Sequence, residues 1–189
     1  MQQIFLTHGS LTYPKGVDLK IESSRLILRP LGQQDLQPHY LSWLNDKEVQ
    51  HYSRRRGRHF EMEDLKKFLD ALPQSTDLHL AVIRKSDLRH IGNISLNNRD
   101  DLNRSAEISI MMGDRETWGQ GYGGEAVQAL SVYGFQSLKL HRLWAESPNP
   151  AFNQLMKRLG WNHEGTKRDA FWLDDQFVPL ELWARFSHE

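Results

Sequence analysis

The chain has 189 residues, and its 24 Lys plus Arg balance 24 Asp plus Glu, so the formal net charge is zero and no global basic field exists to collect nucleic acid. It has no cysteine, which excludes a disulfide framework, a thiol nucleophile and any thiolate metal site. A chain of this length fits one domain that buries roughly 70% of its unfolded surface without a staple, and no apolar run approaches the ~18 residues of a membrane span.

Residues 1–20 carry a turn signal at Pro14, Lys15 and Gly16 and read as an arm or a small added hairpin, with residues 21–189 forming a single domain. The start, MQQIFLTHGS, lacks a basic region followed by an apolar stretch, so no secretory leader is expected and a cytoplasmic protein is the default. From Ser24 the segment SRLILRPL reads as a strand closed by Pro30, because proline cannot sit inside a ladder. Asp35 is expected to open a helix carrying Tyr40, Leu41, Trp43 and Leu44, which breaks near Asn45 and Asp46. Four arginines follow between Arg54 and Arg58, as a solvated loop or as a local contact for an anionic group of substrate or cofactor. In EMEDLKKFLDAL the apolar positions Met62, Leu65, Phe68, Leu69 and Leu72 recur at threes and fours, predicting an amphipathic helix that Pro73 ends.

Three strands follow, over 78–85, 89–98 and 105–114. A glycine cluster, WGQGYGGEA, then precedes a helix through Val127, Leu130, Gly134 and Leu138. A short strand over 141–146, a short helix ended by Gly160, and two strands over 167–173 and 178–186 complete the order. No internal repeat, linker or low-complexity segment interrupts it. Strands and helices in this order make an α/β or α+β domain with mixed strand directions.

Four glycines within 119–124, between a strand and a helix start, let backbone amides face outward, and with the helix dipole they suit a diphosphate. The spacing is not that of a Walker loop, no Gly-Lys-Ser or Gly-Lys-Thr follows, and the cluster comes too late for a dinucleotide fingerprint. The histidines show no metal-ligand spacing, so no metal is expected.

Taken together and in order, SRLILRPL, WLNDKEV, HIGNISL, AEISIMMG followed by WGQGYGGEA, and Asn149 with Gly160-Trp161 and Glu164-Gly165 resemble the GCN5-related N-acetyltransferase superfamily. The resemblance is to its ribosomal-protein-alanine-acetyltransferase-like branch, and it runs from about residue 22 to 186. It implies an acyl-CoA N-acyltransferase fold: a central mixed, twisted sheet of about seven strands flanked by about four helices, with two parallel strands splayed at the cofactor site. It also implies that the backbone of Gly119, Gln120, Gly121, Tyr122, Gly123 and Gly124 cradles the diphosphate of acetyl-CoA. The backbone of Ile110 and Met111 would pair with the pantetheine arm, an amide near Met111 would polarise the thioester carbonyl, and Asn149 would position the arm. Three positions depart from the family pattern. Trp118 stands where Arg or Gln is common, Phe152 where alanine or serine is expected three residues after Asn149, and Met156 where many relatives carry a general-acid tyrosine. Methionine cannot donate a proton, so another group or water protonates the leaving thiolate, or CoA departs as the thiolate.

Transfer from a thioester to an amine requires a neutral, aligned amine. Glu107 shares one side of its strand with Ser105 and Ser109, and reads as a base acting through water, an ammonium anchor, or a salt-bridge partner on the sheet. His141 is a less suited alternative. On the acceptor side the resemblance places Asn45, Asp46 and Tyr52; Arg55 and Asn93 join them as candidates for substrate contact. The acceptor is read as the amine of a small metabolite, such as an amino sugar or its nucleotide-linked form. A protein N-terminus is the alternative, and a polyamine would want a more acidic pocket. A catalytically weak acyl-CoA sensor is the reading from a different class. Neither nucleic acid nor membrane is expected as a partner, and the final strands and the N-terminal arm offer surfaces for a homodimer.

Overall fold

The computed structural model describes residues 19–189, so the arm expected over residues 1–20 lies almost wholly outside the described residues. Eight strands form one sheet: β1 (Ile21–Glu22), β2 (Leu26–Pro30), β3 (Leu78–Arg84), β4 (His90–Asp100), β5 (Ser105–Met112), β6 (Arg142–Ser147), β7 (Asn162–Leu173) and β8 (Gln176–Phe186). Their order is β1-β2-β3-β4-β5-β6-β8-β7, antiparallel throughout except for the parallel pair β5–β6. Five helices join them: α1 (Pro38–Asn45), α2 (Lys47–Gln50), α3 (Met62–Ala71), α4 (Tyr122–Gln136) and α5 (Pro150–Arg158). The eighth strand is the two-residue β1, too short to leave a periodic signal, and the additional helix is the single turn of α2.

Alternation along the strands sorts the core into two layers. Leu78, Leu80 and Val82 of β3 join Ile94, Leu96 and Ile108 beneath Ala126, Val127 and Leu130 of α4 and Met156 of α5. Ala81 and Ile83, on the opposite face of β3, pack with Tyr40, Trp43 and Leu44 of α1 and Leu65 and Leu69 of α3.

Asp35 does not open α1. The residue before a proline is driven to extended backbone, and proline suits the first helical position. Gln37 is accordingly extended and Pro38 begins the helix. Asp35 closes a short 3-10 turn instead, where its buried carboxylate accepts from Arg29 Nη1 and Nη2 at 2.8 and 2.6 Å and from the Gly32 N–H at 3.0 Å. α5 starts at Pro150, capped by the Asn149 side chain, which accepts from the Ala151 N–H at 2.9 Å, and Gly160 follows it at φ +74°, where its sequence places the end.

Gly113, just past β5, lies against the indole of Trp43: an added Cβ would sit 2.0 Å from Trp43 Cδ2. Neither the ring, locked among core side chains, nor the strand end can give way. Gly113→Ala is expected to lower unfolding stability by about 3 kcal/mol, seen as a fall in the urea midpoint at unchanged slope.

Candidate active site

The parallel pair opens the sheet. β5 and β6 are paired only over Ser105–Arg142, Ala106–Leu143 and Glu107–Trp144, after which β5 runs on to Met112 with no partner on that side among the described residues. Backbone polar groups alternate sides along a strand. Arg104 O accepts from the Arg142 N–H at 3.2 Å on the β6 side, and the Gly113 N–H donates to Ile91 O at 3.1 Å on the β4 side. The even-numbered residues therefore turn their N–H and C=O toward β6, and the odd-numbered ones toward β4. Beyond Glu107 this leaves the backbone of Ile108, Ile110 and Met112 facing the gap. It corrects the expectation for Met111, whose amide is turned to Asn93, its register partner on β4. The Met112 carbonyl is engaged by Trp118, whose indole N–H donates to it at 2.9 Å.

A cleft of about 1680 Å³ passes through this gap, larger than a single small-molecule pocket of ~300–1,000 Å³ and roomy enough for two reactants. On the α4–α5 side it is lined by Ile110, Met112, Gly119, Gly121, Tyr122, Gly123, Gly124 and Asn149. Gly119 and Gly121 adopt φ of +75° and +82°, a region that a Cβ disfavours, and Gly121 is the N-cap of α4. The helix leaves the N–H groups of Gly121, Tyr122, Gly123 and Gly124 without intrahelical acceptors, and they form the positive end of its dipole. Such a nest fits a diphosphate. Gln120 takes another role: its side chain donates to Glu116 O at 2.6 Å and its carbonyl accepts from Arg25.

The other side of the cleft has a polar floor. Asn93, Ser95 and Asn97 of β4 face Met111, Ser109 and Glu107 of β5, register partner for register partner. The Asn97 amide donates to Ser109 Oγ at 2.8 Å. Glu107 Oε2 accepts from Asn98 Nδ2 at 2.7 Å. Asn98 sits at a break in the β4–β5 register with φ +49°, a conformation asparagine tolerates better than most residues, and the irregularity turns its amide onto Glu107. Burial pushes the Glu107 carboxyl up, and the Asn98 bond only partly offsets it. Glu146 on β6 also lines the cleft but stands differently: although burial opposes it, Lys167 at 2.5 Å and Arg54 at 2.7 Å hold its carboxyl below the usual range.

Asn93 is fixed from behind. His90 Nε2 lies 2.9 Å from Gly92 O and 2.8 Å from Asn93 Oδ1. A backbone carbonyl can only accept, so Nε2 carries the proton and Asn93 must present its oxygen to it. Burial lowers the His90 pKa, consistent with a neutral ring.

Tyr52 and Arg55 line the acceptor side of the cleft, the arginine over the Phe68 ring at 5.8 Å. Asn45 and Asp46 do not line it. Asn45 bridges to Phe60, accepting from its N–H and donating to its carbonyl, both at 2.9 Å, and Asp46 caps α2 through the Glu48 and Val49 amides. Both side chains are spent on protein partners: Asn45 on backbone fifteen residues along the chain, and Asp46 on the first turn of α2 and on Arg115 at 3.6 Å. Of the other arginines, Arg54 pairs with Glu146, Arg56 covers Phe171 at 4.1 Å and Arg58 faces Phe60 at 5.4 Å. His141 lies away from the cleft, its ring beside those of Phe186 and His188. Met156 is fully buried in the core.

Three residues of the site had no mark in the sequence reading: Asn98, Glu146 and Arg25. Asn98 alone left a usable signal, as half of an Asn-Asn pair inside a strand. Among the described residues no group of three His, Asp or Glu side chains could hold a metal ion, and no helix is long and apolar enough to cross a membrane.

The Acetyltransferase (GNAT) domain model matches residues 25–162, well over half of the chain. The sequence is 33% identical over 176 residues to p20 of Bacillus licheniformis, an uncharacterized N-acetyltransferase, covering 88% of this chain and 96% of that one. It is 37% identical over 97 residues to the ribosomal-protein-serine acetyltransferase of Escherichia coli K12, covering 50% of this chain and 54% of that one. In fold it matches the spermidine N-acetyltransferase of Vibrio cholerae, solved with CoA and spermine, at a TM-score of 0.79 and 20% identity over 88% of this chain and 98% of that one. With the splayed strands, the glycine nest and these matches, the chain belongs to the GNAT acetyltransferase family and is an N-acetyltransferase.

Proposed function

We propose that this chain moves the acetyl group of acetyl-CoA directly to the primary amine of a small metabolite, such as an amino sugar or its nucleotide-linked form. One observation carries the reading: a single cleft joins the glycine nest to the polar floor through the gap between β5 and β6. The amides of Gly121, Tyr122, Gly123 and Gly124 hold the diphosphate, and Asn149 stands beside the arm. The amides of Ile110 and Met112, both on the gap side, replace Met111 as the donors to the arm and to the thioester oxygen. Acetyl-CoA supplies the acetyl thioester. Glu107 takes a proton from the acceptor ammonium, through water; the amine nitrogen then bonds to the carbonyl carbon, the C–S bond breaks, and the nitrogen gives up its second proton to water to leave the neutral amide. Met156, sealed in the core, has no part in protonating the departing thiolate, which leaves as such or takes a proton from solvent.

Glu146 is neutralised by Arg54 and Lys167, Glu125 by Arg25 and Glu48 by Arg115, so the amine end meets two carboxylates, Glu107 and Asp77, among amide and hydroxyl groups. That charge suits one ammonium group better than the several of a polyamine. A second reading, acetylation of a protein N-terminus, draws on the likeness to the ribosomal-protein-serine acetyltransferase over half the chain. Thiol release from acetyl-CoA, followed with matched concentrations of glucosamine, a nucleotide-linked amino sugar, an alanine-initiated and a serine-initiated peptide, and spermidine, decides between them. The highest kcat/KM is expected with an amino sugar; a peptide or spermidine in that place would overturn the acceptor assignment while leaving the transfer chemistry intact.

A further inference from the structure

Arg25 stands at the start of β2, about a hundred residues from the glycine nest in sequence, and is wired into it. Its Nε donates to Glu125 Oε2 at 2.7 Å and its backbone N–H to Glu125 Oε1 at 2.6 Å. Ser23 Oγ donates to the same Oε1 at 2.7 Å. Arg25 Nη1 donates to the Gln120 carbonyl at 3.0 Å, and the guanidinium lies 4.3 Å over the Tyr122 ring. Nη2 is the nearest atom to the place where a Cβ on Gly121 would stand, at 3.5 Å.

The Gln120 contact decides what the loop can do. In a trans peptide the carbonyl of one residue and the N–H of the next point in opposite directions. Gly119 and Gly121, on either side of Gln120, are at positive φ, and glycine reaches many conformations at little cost, so this peptide plane has little of its own to hold it. A cation fixed on the Gln120 carbonyl turns the Gly121 N–H the other way, into the nest. Glu125, in the first turn of α4, would otherwise set an uncompensated negative charge beside any bound anion; paired with Arg25, it serves as the anchor that keeps the guanidinium in place.

We infer that Arg25 is a positioning residue for the diphosphate: anchored by Glu125, it fixes the Gln120–Gly121 peptide so that the nest presents its donors to the ligand. The inference rests on the reading of the glycine loop as a diphosphate site, and the test separates the two. Affinities of acetyl-CoA, S-acetylpantetheine (which lacks the diphosphate) and 3′-dephospho-CoA are measured on the full chain for wild type, Arg25→Ala and Arg25→Lys.

Arg25→Ala is expected to weaken acetyl-CoA and dephospho-CoA about tenfold each, the value of one charge-assisted hydrogen bond, while S-acetylpantetheine changes less than about twofold. Arg25→Lys, which keeps the charge and can reach one of the two acceptors, recovers part of the loss, and it carries the same comparison if the alanine variant folds poorly. An equal loss for all three ligands would make Arg25 a merely structural residue and overturn the inference. So would an unchanged acetyl-CoA affinity, or a loss confined to ligands with the 3′-phosphate. A wild type that does not prefer acetyl-CoA to S-acetylpantetheine would instead sink the loop assignment itself, and this role with it.

Discussion

Gly121→Val is expected to raise the dissociation constant of acetyl-CoA about a hundredfold. Gly121 caps α4 at φ +82°. A β-branched residue there costs about 1–3 kcal/mol of backbone strain if the loop keeps its shape. The alternative is a loop that relaxes to negative φ and turns its amides away from the ligand. Either route removes binding energy from the same few N–H groups. Gly123→Ala is the control. Gly123 is already helical, and an added Cβ would meet only Met112 Cγ at 3.6 Å and Ile110 Cδ1 at 3.9 Å, both ordinary contacts. This variant should keep its unfolding midpoint and lose far less affinity. Isothermal calorimetry on both, with thermal unfolding to confirm the fold, separates loop geometry from bulk.

The second large effect belongs to Glu107. Glu107→Gln should reduce kcat/KM for the amine about a hundredfold or more, the usual range for removing a general base, with acetyl-CoA affinity unchanged. Its pH profile carries the sharper information. Burial raises the Glu107 pKa, so the carboxylate that accepts the proton forms at higher pH than an exposed glutamate would. The rate should climb with pH through that raised value, and this limb should vanish in the glutamine variant. If Glu107 only anchors the ammonium, the substitution raises KM and leaves kcat and the pH limb in place.

Stability moves oppositely. A carboxyl whose folded pKa is raised contributes stability below its unfolded pKa, and that contribution is lost as pH rises through the folded value. Near neutrality Glu107→Gln should therefore melt slightly higher than wild type, a small gain in stability exchanged for the loss of activity.

Much of this site was legible before the fold was known, because it depends on residue types with few alternatives. Clustered glycines before a helix leave little but an exposed backbone turn, and strand alternation placed Glu107 and Ser109 on one face. Legibility failed where partners decide. Which amides face the gap depends on the pairing of β5 with β4 and β6, so the sequence points to Met111 where the N–H groups of Ile110 and Met112 face the gap. Asn45 and Asp46 carry the right chemistry for an acceptor but use it on Phe60 and on the first turn of α2. Asp35 looked like a helix cap because nothing in its neighbourhood revealed Arg29 as its partner. The arginine run was ambiguous for the same reason: Arg54 acquires its meaning from Glu146, a residue about ninety positions away.

The most direct test of the central claim is a calorimetric titration of the folded protein with acetyl-CoA, with CoA as comparison. Saturable one-to-one binding of both, strongly weakened by Gly121→Val, is the expected result. Binding of neither by a protein whose circular dichroism and unfolding transition are intact would contradict it, and would leave the glycine nest without the ligand for which its amides are arranged.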